Sequence, residues 1–121
     1  MKKIFLILLS TAAYAVAVGQ SFQSFVTRVQ LAPASERSSI VDSFMVAVSR
    51  FPLIEQNTTT HFIYRGSATS VGVPGDANGW NASAFPMTRL STTDLWYNSQ
   101  TFEPDARLDY KFVLDGGTWI L

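Results

Sequence analysis

Turn chemistry interrupts the second half of this chain so often that no long helix fits there. Arg65-Gly66, Pro74-Gly75-Asp76, Asn78-Gly79, Ser91-Thr92-Thr93-Asp94 and Asp115-Gly116-Gly117 separate short runs rich in β-branched and aromatic residues. Those runs read as strands: Thr58 to Tyr64, Thr69 to Val73, Met87 to Leu90, Leu95 to Thr101, Leu108 to Leu114, and a last one from Thr118. Met87 to Leu90 and Leu95 to Thr101 form an expected hairpin. The run from Leu108 alternates, with Leu108, Tyr110, Phe112 and Leu114 on one face and Asp109, Lys111 and Val113 on the other. Short strands at this spacing predict a mainly β chain folded as a β-sandwich. Residues 57–121 number 65, against roughly 100 for a complete sandwich of that kind, and Leu121 stands in mid-strand. The expectation is an incomplete sandwich from a longer protein.

The first half follows a different period. Phe22, Phe25, Val26 and Val29 stand at i, i+3, i+4 and i+7, and Ile40, Val41, Phe44, Met45 and Val48 form a second stripe. Residues 22–50 therefore read as helical. Pro33 interrupts the pattern, and Ala34 to Ser39 reads as a link or first turn. Ser39 with Asp42 reads as an N-terminal capping pair, and Pro52 as the stop. Apolar stripes of this width are core surfaces, expected here to pack against a neighbouring domain.

Ahead of them, Met1-Lys2-Lys3 is a basic start and Ile4 to Val18 an apolar run. Ala17-Val18-Gly19 supplies small residues for cleavage before Gln20, with Ala15-Val16-Ala17 as the next choice. The run is short for a bilayer span, which makes it a secretory signal rather than an anchor. The expected organisation is a signal peptide over 1–19, a helical lead-in over 20–56 and a truncated sandwich over 57–121.

Composition narrows the chemistry. The 121 residues carry nine Lys+Arg against nine Asp+Glu, one His and no Cys. Balanced charge argues against nucleic acid as a partner, which requires a basic face. Without Cys there is no disulfide framework, thiolate nucleophile or Cys-held metal, and a single His excludes a multi-histidine metal site. Removing residues 1–19 leaves 102, with seven basic and nine acidic groups, and no membrane association is expected of that product. A Cys-free exported chain suits a secreted or periplasmic bacterial protein.

Catalytic signatures are missing from the sequence. The nearest approach to a G-x-S-x-G elbow, Ala68-Thr69-Ser70-Val71-Gly72, lacks the first Gly and falls inside an expected strand. His61, at a strand start, reads as structural or exposed rather than as a general base. Asp76-Ala77-Asn78-Gly79 opens like a calcium loop but has no later acidic ligand and reads as a turn. Asn57-Thr58-Thr59 and Asn81-Ala82-Ser83 match the glycosylation sequon. No catalytic residue, metal or cofactor is expected.

One ordered set of motifs points to a family. Ala68 to Val73 leads into Pro74-Gly75-Asp76-Ala77-Asn78-Gly79-Trp80; then come Met87-Thr88, Leu95-Trp96-Tyr97, Leu108-Asp109-Tyr110-Lys111-Phe112-Val113-Leu114-Asp115-Gly116, and Trp119. Over residues 58–121 this resembles the glycogen-binding-type carbohydrate-binding modules of family 48, which are immunoglobulin-like early-set β-sandwiches. Adding the leader, the helical lead-in, Pro52-Leu53-Ile54-Glu55 and Phe62-Ile63-Tyr64-Arg65-Gly66, the chain resembles the N-terminal region of secreted bacterial esterases of the enterochelin- and feruloyl-esterase type. The resemblance implies a non-catalytic accessory module docked in cis on an α/β-hydrolase domain beyond Leu121. The alternative it implies is a module binding α-glucan or another polysaccharide.

In those relatives, tryptophans matching Trp80 and Trp119 are sugar platforms and a lysine matching Lys111 holds the sugar. An indole face suits the C–H face of a pyranose, and Asn78 and Asn81, flanking Trp80, suit its hydroxyls. The competing readings are that Trp80 closes its loop and packs, that Trp119 packs likewise, and that Lys111 is a solvated outward residue. Trp96, within a strand, reads as core.

Overall fold

The computed structural model describes residues 21–120; the expected signal peptide lies outside them. The element order is α1 (Ser21–Leu31), α2 (Ala34–Ala47), β1 (Leu53–Glu55), β2 (Thr59–Arg65), β3 (Val71–Gly72), a 3-10 turn (Asp76–Asn78), β4 (Thr88–Arg89), β5 (Leu95–Thr101), β6 (Phe112–Leu114) and β7 (Thr118–Ile120). The strands form two antiparallel sheets, one ordered β1-β2-β5-β4 and one β3-β6-β7. The domain is sheet-rich but mixed rather than mainly β, because helices of 11 and 14 residues add a layer of their own.

The β2–β5 pair, in register from Thr59↔Thr101 to Arg65↔Leu95, organises the rest. Alternation gives it two apolar faces. On one, Phe62, Tyr64 and Trp96 meet Val71 and Phe112 of the three-stranded sheet, and Val73 just past the end of β3. On the other, Ile63, Leu95 and Tyr97 meet Phe22, Phe25, Val26, Val29 and Val41 of the helices. The helical stripes thus close on the chain's own sheet rather than on a neighbouring domain. A sheet apolar on both faces needs cover on both. Phe25 and Phe44 stack at 3.9 Å between ring centroids and lock the two helices together.

The helix boundaries also differ from expectation. Pro33 sits at the N-cap of α2, where its missing N–H costs nothing, and the Glu36 N–H donates to the Pro33 carbonyl at 2.9 Å. Ser39 therefore lies inside the helix and is no cap. Asp42 instead reaches across to Arg65, at 2.6 Å. The last carbonyls of α1 are satisfied by Arg37, whose Nε donates to the Val29 and Ala32 oxygens at 3.0 and 3.1 Å.

Of the run from Leu108, only Phe112–Leu114 forms a regular strand. Tyr110 meets Gly75 in an isolated bridge, and the Lys111 N–H donates to the Pro74 carbonyl at 3.0 Å. Alternation persists through these contacts: Tyr110, Phe112 and Leu114 pack inward. Leu108, at the start of the run, is exposed instead. Among the described residues no helix is long and apolar enough to cross a membrane.

Candidate functional site

Pairing fixes what the outer face of the three-stranded sheet presents. Val113 stands opposite Gly72 on one side and Trp119 on the other. Directly opposed residues of antiparallel strands share a face, and Lys111, two residues before Val113, belongs to it as well. Val113 is buried, Lys111 half-buried, and Trp119 42% exposed. A Cβ at Gly72 would run into the Ala82 carbonyl oxygen, so the segment following Trp80 crosses this same face. Glycine is required there by the close approach of that backbone.

Trp80 is held by its loop without being covered by it. Its backbone N–H donates to the Gly75 carbonyl at 2.9 Å, and its indole N–H to Asp76 Oδ1 at 3.0 Å. Asp76 Oδ2 accepts the Asp109 N–H at 2.9 Å, which ties the loop to the approach to β6. Gly79, at φ 69°, makes the turn just before Trp80. The indole remains 38% exposed. An indole fixed at its nitrogen and open on its ring is already ordered for stacking, so little side-chain freedom is lost when a ligand lands on it.

The two asparagines differ. Asn78 accepts the Gly75 N–H at 3.0 Å and donates to the Val73 carbonyl at 2.9 Å, so its amide braces the loop. Asn81 is exposed and uses only its oxygen locally, accepting the Ser83 N–H at 2.9 Å. Its amide hydrogens face solvent chemistry that Asn78 largely cannot reach. Trp96 is buried, its indole N–H donating to the Gly66 carbonyl at 3.1 Å, in keeping with a core role. Exposed Trp80 and Trp119, Lys111 and Asn81 together supply stacking surfaces and donors of the kind that hold a pyranose ring.

A second polar group was not legible from the sequence. Glu55, His61 and Ser99 form a chain: His61 Nε2 to Glu55 Oε1 at 2.6 Å and His61 Nδ1 to Ser99 Oγ at 2.7 Å. A carboxylate only accepts, so Nε2 carries the hydrogen, and in the neutral ring Nδ1 accepts from the Ser99 hydroxyl. Glu55 Oε2 also accepts the Phe22 N–H at the start of α1, at 3.3 Å, and the Phe22 ring stacks on the imidazole at 4.3 Å. The order of groups is that of a serine-hydrolase triad, but the ring nitrogens are exchanged, with Ser99 on Nδ1 and the carboxylate on Nε2, and His61 is buried beneath Phe22. The group joins α1 to β1, β2 and β5.

Asp115 fixes the other end of the three-stranded sheet. It accepts from the Thr69 N–H and hydroxyl at 2.7 and 2.8 Å and from the Ser70 N–H at 3.3 Å. The Thr69 bonds hold its carboxyl below the usual aspartate range. Among the described residues no group of three or more His, Asp or Glu is placed to hold a metal. No family model matches the chain, and no curated protein matches it significantly.

Proposed function

We propose that the chain is a non-catalytic accessory module of an exported esterase, built as an early-set, immunoglobulin-like sandwich and docked on an α/β-hydrolase domain. The supporting observation is the order of its parts. The Gly-Asp–Asn-Gly-Trp loop, the hairpin through Leu95-Trp96-Tyr97 and the Tyr-Lys-Phe-Val-Leu-Asp-Gly hairpin occupy successive elements of two facing sheets. Reading the coding DNA past codon 121 tests it. A continuing frame with a G-x-S-x-G elbow is the expected result, and a stop codon directly after Leu121 overturns it.

A second reading, binding of an α-glucan or other polysaccharide, is favoured by the exposure of Trp80 and of Trp119, the latter on the sheet face that Lys111 shares. Retarded migration of the protein in native gels containing glycogen, starch or xylan is expected, and relief by Trp80→Ala or Trp119→Ala. Unchanged mobility in all three polymers removes this reading while leaving the first intact.

A further inference from the structure

Among the described residues β1 is the outer strand of the four-stranded sheet, and the register turns the backbone N–H and C=O of Ile54 away from β2. Both faces of this edge are hollow. Toward the three-stranded sheet, a cleft of about 680 Å³ lies over Ile54, Thr60, Phe62, Phe102, Leu108 and Tyr110. Toward the helices, a second of about 740 Å³ is bounded by Phe44, Ala47, Val48 and Leu53. The two share Pro52, Ile54 and Asn57 and are therefore the two sides of one strand. The pairings Ile54↔Thr60 and Leu53↔His61 turn Ile54 to the first cleft and Leu53 to the second.

We propose that the β1 edge is an acceptor for an extended segment of a partner protein, carrying apolar side chains on both faces and a lysine or arginine on the face toward residues 103–109. A strand laid beside β1 sends successive side chains alternately into the two clefts while its backbone continues the sheet. Aromatic rings of Phe62, Phe102 and Tyr110 floor the first cleft, and Ile54, 56% exposed, walls both. Charge selects the partner. The first cleft is rimmed by Glu103, Asp105 and Asp109 against Arg107, so a cation entering there is matched and a carboxylate repelled. The same excess of acid disfavours a second copy of this chain, whose own acidic rim would face it. The site lies on the opposite sheet from Trp119 and goes beyond the reading above.

The test uses the full chain and a fluorescein-labelled octapeptide of valine and leucine, one face of which also carries two lysines, beside a control with glutamates in place of the lysines. Fluorescence polarisation is expected to show the lysine peptide binding more tightly, by about two- to threefold for each charge in the manner of an exposed ion pair. Asp105→Lys is expected to erase that preference, Ile54→Lys to weaken binding, and Trp80→Ala to leave it unchanged. Hydrogen exchange is expected to slow at the outward-facing amide of Ile54 when the peptide is present. Equal affinity for both peptides, no binding at millimolar concentration, or protection confined to other strands overturns the proposal. A dimer seen in sedimentation and dispersed by Ile54→Lys overturns it in favour of self-association.

Discussion

At the scale of single residues, the side chains with the largest structural roles are polar and have distant partners. His61 reaches Ser99, 38 residues away, and Asp115 reaches Thr69, 46 away; no local pattern announces either. Replacing His61 by Leu removes the bonds to Glu55 Oε1 and to Ser99 Oγ, and we expect a loss of about 2 kcal/mol in urea unfolding. Ser99→Ala is expected to cost about 1 kcal/mol, since only one neutral bond goes. Equal stability of His61→Leu and the parent would show that the chain of bonds holds nothing together.

Asp115 contributes a pH dependence of its own. A carboxyl whose folded pKa lies below its unfolded one contributes stability above the unfolded value and loses it as pH falls through the folded one. Its grip on Thr69 and Ser70 is therefore expected to fail only in acid, below the ordinary aspartate range. A carboxyl-detected NMR titration should place its midpoint under that of a free aspartate, and Thr69→Val should raise it. An unmoved midpoint in the variant would assign the shift to something other than the Thr69 hydroxyl.

At the scale of elements, the sequence was read best where one face of a strand or helix settles its own fate. Leu95 to Thr101 is β5 from end to end, and Phe22, Phe25, Val26 and Val29 are all buried. It was read worst where backbone geometry or a distant partner decides. Proline tolerated at an N-cap moved the start of α2 ahead of Ser39, and the approach of Pro74 and Gly75 left Tyr110 and Lys111 outside a regular strand. A stripe shows that a helix is covered, not by what. Of the expected sugar contacts, Trp80, Trp119 and Asn81 are accessible, whereas Asn78 is engaged in its loop. Val29→Ala, at a position sealed between α1 and the sheet, is expected to cost about 2–3 kcal/mol. Leu31→Ser, two residues on and exposed, is expected to stay within about 0.5 kcal/mol. Comparable losses in thermal unfolding for both would contradict the placement of α1.

At the scale of the whole molecule, the turn between β1 and β2 falls at Gln56 and Asn57, where the helical lead-in was expected to end. Cutting the chain there removes one strand and every helical contact of Ile63 and Leu95. The product beginning at residue 57 is expected to aggregate on expression, its remaining β2-β5-β4 sheet exposing an apolar face; a soluble, monomeric product with native exchange protection would show the helices to be dispensable. The four-stranded sheet is a wall common to both hydrophobic clusters, and that has a kinetic meaning. Amides at Phe62, Ile63, Leu95 and Trp96, in the middle of this wall, have protein on either side, so solvent is expected to reach them only when the entire chain opens. A probe beside Phe22 and another beside Phe112, at opposite ends of the stack, should then trace the same melting curve, two oily compartments sharing a single thermodynamic fate.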